Sequence, residues 1–271
     1  MNKLNFGCGA RYASGWTNID FHGDGVNVTR VNLLAGFPFP DSTFDAVYSS
    51  HVLEHFTPEQ GRFLIAEASR VLRPGGILRT VVPDLEASCH EYLRILAMSD
   101  SDPDKRWRYD WIKIELLDQL IRTRPGGAMA PHMQSVIQSG DPARIEYIES
   151  RTESHRSIPD LPTDMKSRLA RITWGKVSTK LTYLYLQLVQ RIIPGKLRPM
   201  VWNATTIGEK HRWMYDWYDL SQLMQSCGIG NIRFLPFDES GIPGFSADLL
   251  DANPDGSPYK NVSLYCEATK V

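Results

Sequence analysis

A doubly wound α/β sheet is the fold class the sequence predicts, and three observations predict it. Strand-like runs alternate with helix-like ones at the spacing of β-α-β units. A glycine-rich turn, Gly7-Cys8-Gly9, follows directly on the first strand-like run. The 271 residues are 42% hydrophobic and 23% charged, an ordinary soluble globular balance with room for one large α/β domain or two small ones.

The elements follow in order. KLNF (3–6) reads as the first strand and WTNIDF (16–21) as the second. TFDAVYSS (43–50) is a third, with Val47 and Tyr48 favouring extended backbone. TPEQGRFLIAEASRVLRPGG then spells a punctuated helix. Thr57 suits the N-cap, Pro58 the first helical position, and Gln60 completes a capping box. Leu64, Ala68, Val71 and Leu72 recur at helical spacing, and Pro74-Gly75-Gly76 is the stop. ILRTVVPD (77–84) is apolar enough for a central strand. Residues 85–215 read as helical, rich in Arg, Trp and Tyr. The alternation resumes with a helix over 218–229, a strand over 231–237 and a last strand over 262–270. No internal repeat is present. The expected division is a core of 1–88 and 212–271 around a helical insertion or cap, 89–211.

Several classes are excluded or disfavoured. A formal net charge of −1 argues against a bulk polyanion binder. No run of apolar residues is long enough for a membrane-spanning helix. Cys8, Cys89, Cys227 and Cys266 form no CxxC pair, so no metal site is expected, and the cysteines read as reduced thiols. With no recognisable secretory leader, the expectation is a cytoplasmic protein.

The turn lies at the carboxyl edge of the predicted sheet, where ligands bind in this architecture. A dinucleotide fingerprint needs a third glycine at position 12, which is Tyr12. A P-loop needs Gly-Lys followed by Ser or Thr, and none is present. A ligand that approaches the backbone closely without a pyrophosphate remains, and S-adenosylmethionine fits. Its amino-acid end can lie against Asn5, Phe6, Gly7, Cys8 and Gly9. Its ribose diol needs an acidic acceptor at the end of the second strand, where Asp20-Phe21 stands. Asn32-Leu33 can offer adenine a polar group and an apolar wall, and Ser49 and Ser50 end the third strand on the same edge.

LNFGCG, NIDF, FPFPDSTFDAVYSSHVLEHF and RVLRPGGILRTVVPD, in that order, resemble the successive motifs of class I S-adenosylmethionine-dependent methyltransferases. The resemblance is strong over about the first 85 residues and moderate over KHRWMYDWYDLSQLMQSCGI and VSLYCEATK. It is closest to a small bacterial branch whose genes often accompany surface-polysaccharide synthesis. It implies a Rossmann-like, doubly wound seven-stranded methyltransferase sheet with a helical insertion, S-adenosyl-L-methionine as cofactor, and O-methylation of a sugar of a surface glycan or its lipid-linked precursor. A small-metabolite acceptor, or a cofactor-binding partner protein without turnover, are the alternatives. Asn5 and Asn32 depart from the family, which usually has acids there. The covering helix that usually precedes the first strand has no counterpart, and the insertion is expected to take its place.

Candidate catalytic residues are His211, His51 and Asp84. His211 reads either as a general base, since imidazole titrates near neutral pH, or as a histidine packed among Trp213, Tyr215 and Trp217. The two aromatics Trp213 and Tyr215 could stabilise the sulfonium by cation–π contact. His51 reads as a packed or a polar pocket residue, and Asp84 as a substrate-facing acid. His55 reads as structural, with His132 a weaker candidate base. Between Lys166 and Arg198 the chain carries eight Lys or Arg and no acid. This stretch, with Leu181, Leu184, Tyr185, Leu188, Val189 and Ile192 at helical spacing, is either a packed helix with a basic outer side or a peripheral membrane contact. No nucleic-acid-binding module accompanies it. The oligomeric state is not legible.

Overall fold

The computed structural model describes residues 1–122, 126–152, 185, 188–189, 191–194 and 210–271. Most of the basic stretch 166–198 therefore lies outside the described residues, as does part of the insertion. Among the described residues no helix is long and apolar enough to cross a membrane.

The frame is a seven-stranded sheet. Its strands are β1 (Lys3–Phe6), β2 (Thr17–Asp20), β3 (Thr29–Arg30), β4 (Phe44–Ser50), β5 (Leu72–Pro83), β6 (Ile229–Phe234) and β7 (Ser263–Lys270). They lie in the order β3-β2-β1-β4-β5-β7-β6. The first five run parallel, whereas β7 is antiparallel to both β5 and β6. β7 inserts between β5 and β6 by reversing direction, which alternation alone does not reveal. The chain builds outward from β1 to β3, then returns to place β4 on the other side of β1. The reversal between β1 and β4 is the topological switch point, and it opens a crevice at the carboxyl ends of these two strands.

The helix α1 (Pro58–Val71) forms as its sequence dictates. Thr57 accepts from the Gln60 amide, the Gln60 side chain accepts from the Thr57 amide, and Pro58 occupies the first turn. The helix ends earlier than its glycines suggest. Buried Leu72 already pairs with Phe44 in the sheet, and a register shift between Phe44 and Ala46 absorbs the exposed Pro74-Gly75. Two further helices complete the core: α6 (Trp217–Ser226) and the four-residue α7 (Phe245–Asp248).

The two faces of the sheet are covered differently. On one, Leu4, Phe6, Ile19, Val47, Leu78 and Ala268 meet Leu64, Ile65 and Ala68 of α1 and Leu220 and Met224 of α6. On the other, Tyr48, Val81 and Tyr265 meet Ala13 and Trp16 of the loop after β1 and Ile242, Phe245 and Leu250. That second cover, among the described residues, contains just the short α7. It is pinned by a buried Arg79, whose Nε lies 2.7 Å from Asp251 and whose guanidinium also donates to the carbonyls of Glu239 and Phe237.

Between the core halves lie α2 (Leu85–Leu96), α3 (Lys105–Ile121), α4 (Met129–Ser139) and α5 (Pro142–Glu149). They carry a cluster of their own, Trp111, Val136 and Ile148. His132 packs on Trp111 there, with ring centroids 5.6 Å apart, and so belongs to this satellite core. The first helix starts at Leu85, a few residues inside the expected core boundary.

Candidate cofactor site and histidine cluster

The crevice at the switch point begins with the glycine turn. Gly7 (φ +66°) and Gly9 (φ +53°) both take the left-handed conformation. At Gly7 a β-carbon would sit 2.5 Å from Val52 Cγ2, so glycine is required by the approach of the chain leaving β4. At Gly9 a β-carbon would meet nothing within 4 Å, so the backbone there is open to close approach by a ligand.

Asp20 ends β2 beside this turn. Its carboxylate accepts from the Gly9 amide (2.9 Å) and the His22 amide (2.7 Å). A carboxylate offers about four lone-pair sites, so about half its capacity is uncommitted. Asn5 is buried beneath the turn. Its Nδ2 donates to the Arg11 carbonyl and to Asn18 Oδ1, holding the loop in shape, while its Oδ1 is buried without a hydrogen-bond partner. These features fit S-adenosylmethionine: a diol acceptor at Asp20, an open backbone at Gly9, and an orphaned acceptor at Asn5.

The other residues expected at the site take the following places. Phe6 is in the core against Phe37, so only its backbone reaches the turn. Leu33 is buried in the same core, and its neighbour Leu34 is exposed. Asn32 caps the short 3-10 turn Leu33–Ala35 by accepting from the Leu34 amide. Phe21 is exposed, with Arg30 over its ring. Cys8 is buried, and burial together with Asp20 pushes its thiol up to about 12, which leaves it unreactive. Ser49 is buried against Thr80, and Ser50 is half-buried at the end of β4. Asp84 caps α2 by accepting from the Ala87 amide, which commits part of its carboxylate to the fold. Tyr215 is in the core, and Trp213 donates to Asp219 at the surface, so these two do not jointly line a cation pocket.

Among the described residues, a cluster of one carboxylate and neighbouring imidazoles lies on the chain leaving β4. His51 adopts φ +53°, a left-handed conformation rare for a residue with a β-carbon. This turns the chain into a 3-10 turn, Leu53–His55. Glu54 is fully buried, with His51 Nδ1 3.2 Å and His55 Nε2 4.0 Å from its Oε1. The amides of Arg212 and Trp213 both converge on the Glu54 carbonyl, which brings His211 across from the far end of the insertion. His211 is buried, edge-on to His55 with centroids 5.1 Å apart. Burial pushes His211 down to about 4, against the pull of Glu54. Burial alone would raise Glu54, but the His51 contact and the neighbouring imidazoles outweigh it and hold the carboxyl down to about 2. The packing partner of His211 is therefore His55 rather than the expected tryptophans. Sequence reading missed Glu54 as a site residue. Its one signal was an acid flanked by two histidines, and nothing in sequence links them to His211.

Residues 4–80 match a family model described as a methyltransferase domain. A fifty-residue stretch is 44% identical to a "Probable methyltransferase" of Aspergillus luteorubrus, spanning 18% of this chain and 18% of that protein. Among solved structures, a SAM-dependent methyltransferase from Methanosarcina mazei aligns over 100% of this chain and 92% of its own, with 14% identity and TM-score 0.40. A possible histamine N-methyltransferase from Thermotoga maritima aligns over 100% and 82%, with 12% identity and TM-score 0.39. The matched segment runs from β1 into β5 and contains the glycine turn, Asp20 and the His51–His55 turn. Over residues 4–80 the chain is thus similar in sequence to a methyltransferase domain, and it spans less than a fifth of the curated relative it matches.

Proposed function

We propose that this chain is an S-adenosylmethionine-dependent methyltransferase whose acceptor is a sugar hydroxyl of a surface glycan or its lipid-linked precursor. The observation that carries the cofactor part is the Asp20 carboxylate held against Gly9 at the switch point. When bound, the cofactor supplies an electrophilic methyl group on a sulfonium. The chain's own residues bind and orient. Asp20 offers charge-assisted acceptors to a ribose diol. Gly9 lets the ligand approach the backbone, and Asn5 Oδ1 stands ready to accept from an ammonium group. Orientation of this kind can contribute roughly 7–11 kcal/mol to barrier lowering.

The choice of a glycan acceptor is supported by the sequence resemblance. A lipid-linked acceptor also suits a contact with a membrane surface through the basic stretch 166–198. Within it, Tyr185, Leu188 and Ile192 are described, and all three are exposed. The test is formation of S-adenosylhomocysteine with a panel of acceptors. Turnover with glycans or lipid-linked saccharides, and none with small amines or acids, is the expected result. Turnover confined to a small metabolite would overturn the glycan reading. Cofactor binding without turnover on any acceptor would favour a non-catalytic partner, the reading for which Asn5 in place of an acid speaks.

A further inference from the structure

We propose that Glu54, His55 and His211 form a binding site for one divalent first-row transition-metal ion. The donor atoms of these three side chains lie within 4.8 Å of one another. Glu54 is the anchor. Its side chain is wholly buried, with His51 Nδ1 3.2 Å from Oε1 as its one close polar neighbour and no hydrogen-bond partner for Oε2. A buried carboxylate left so poorly satisfied is costly, and a cation among its neighbours offsets that cost.

The histidines are prepared for the same task. His55 Nδ1 lies 3.2 Å from the Lys210 carbonyl, which can only accept, so Nδ1 carries the proton. In the neutral ring Nε2, on the side of Glu54, is then the nitrogen with the lone pair, the arrangement in which a second hydrogen bond orients a metal-binding imidazole. His211 is held by its own backbone, whose amide donates to the Gln119 carbonyl, while the next two amides grip the Glu54 carbonyl. The three donors thus come from two distant segments clamped by backbone bonds, not from flexible surface chains. His51, on the other side of Glu54, is tied to Ser263 through Nε2 at 2.9 Å.

Two imidazole nitrogens and one carboxylate oxygen suit zinc, cobalt, manganese or iron better than calcium, which prefers an all-oxygen shell. Three protein donors leave at least one position open on a four-coordinate ion. Val52, two residues before Glu54, lies against Gly7 of the cofactor turn, so the cluster and the turn share one packed segment of chain. Taking an acceptor oxygen at the open position is a use that rests on the proposed function, whereas the site itself does not.

The test uses untagged full-length protein, stripped with chelator and titrated with Co²⁺ while visible absorption is recorded. One equivalent of Co²⁺ should produce a saturable ligand-field band that Zn²⁺ displaces, and Zn²⁺ should raise Tm. Glu54→Gln, which keeps the side-chain shape, should weaken Co²⁺ binding at least tenfold. His55→Ala, at the more exposed end of the cluster, should do the same with unchanged circular dichroism. Absence of the band in the wild type, or a band unchanged in both variants, overturns the proposal. Asp20→Ala should keep the Co²⁺ band. Wild-type protein that binds Co²⁺ yet methylates nothing would leave the metal site standing and remove the functional reading.

Discussion

Gly7 and Gly9 look equivalent in sequence, yet they carry different constraints. At Gly7 both the positive φ and the 2.5 Å approach of Val52 exclude a β-carbon. At Gly9 only the backbone conformation does, at roughly 1–2 kcal/mol for a left-handed residue. Gly7→Ala should therefore lose clearly more stability than Gly9→Ala in urea unfolding. Gly9→Ala should instead show its main effect as weakened cofactor binding in calorimetry, because its new methyl group occupies open space. The need for glycine in this turn was legible in the sequence, whereas the difference between the two positions, set by Val52, was not. Side-chain roles were less legible. Leu33 and Phe6 sit in the right motifs but face the core, and a linear reading cannot tell which face a residue beside a turn will take.

At the scale of elements, α1 was readable almost residue by residue because its start is written in hydrogen-bond chemistry. Removing that chemistry has a measurable cost: Thr57→Ala should lower stability by about 1 kcal/mol, read from the urea midpoint. The strand β3 was not readable, because its two residues are both exposed and present no apolar pattern. The early start of β5 was hidden as well, since Pro74 and Gly75 look like a break but form an exposed bulge in a continuing strand. Arg79 in that strand resembles a surface residue in sequence and is instead a buried tie to the second cover, through Asp251. Arg79→Ala strands that carboxylate and should cost about 3–5 kcal/mol, whereas Arg73→Ala, at the exposed start of β5, should change stability by less than about 1 kcal/mol.

Across the whole molecule, the parallel half of the sheet was predictable from alternation and the resemblance, and the antiparallel β7 gives the strand order its final form. The meeting of Glu54 and His55 with His211 was beyond reach, because it depends on how the chain returns after the insertion. The crevice between β1 and β4 gathers the glycine turn, Asp20 and the histidine cluster on one edge, and the account rests on Asp20 holding the cofactor there. Hydrogen bonds to a charged group contribute about 1.5–3 kcal/mol, so Asp20→Ala should weaken binding by roughly tenfold to a hundredfold. Calorimetric titration of S-adenosylhomocysteine into the wild-type and Asp20→Ala proteins measures this directly. Saturable binding with a stoichiometry of one, weakened by that factor in the variant, is the predicted result. No heat in the wild type, or equal affinity in the two proteins, would contradict it.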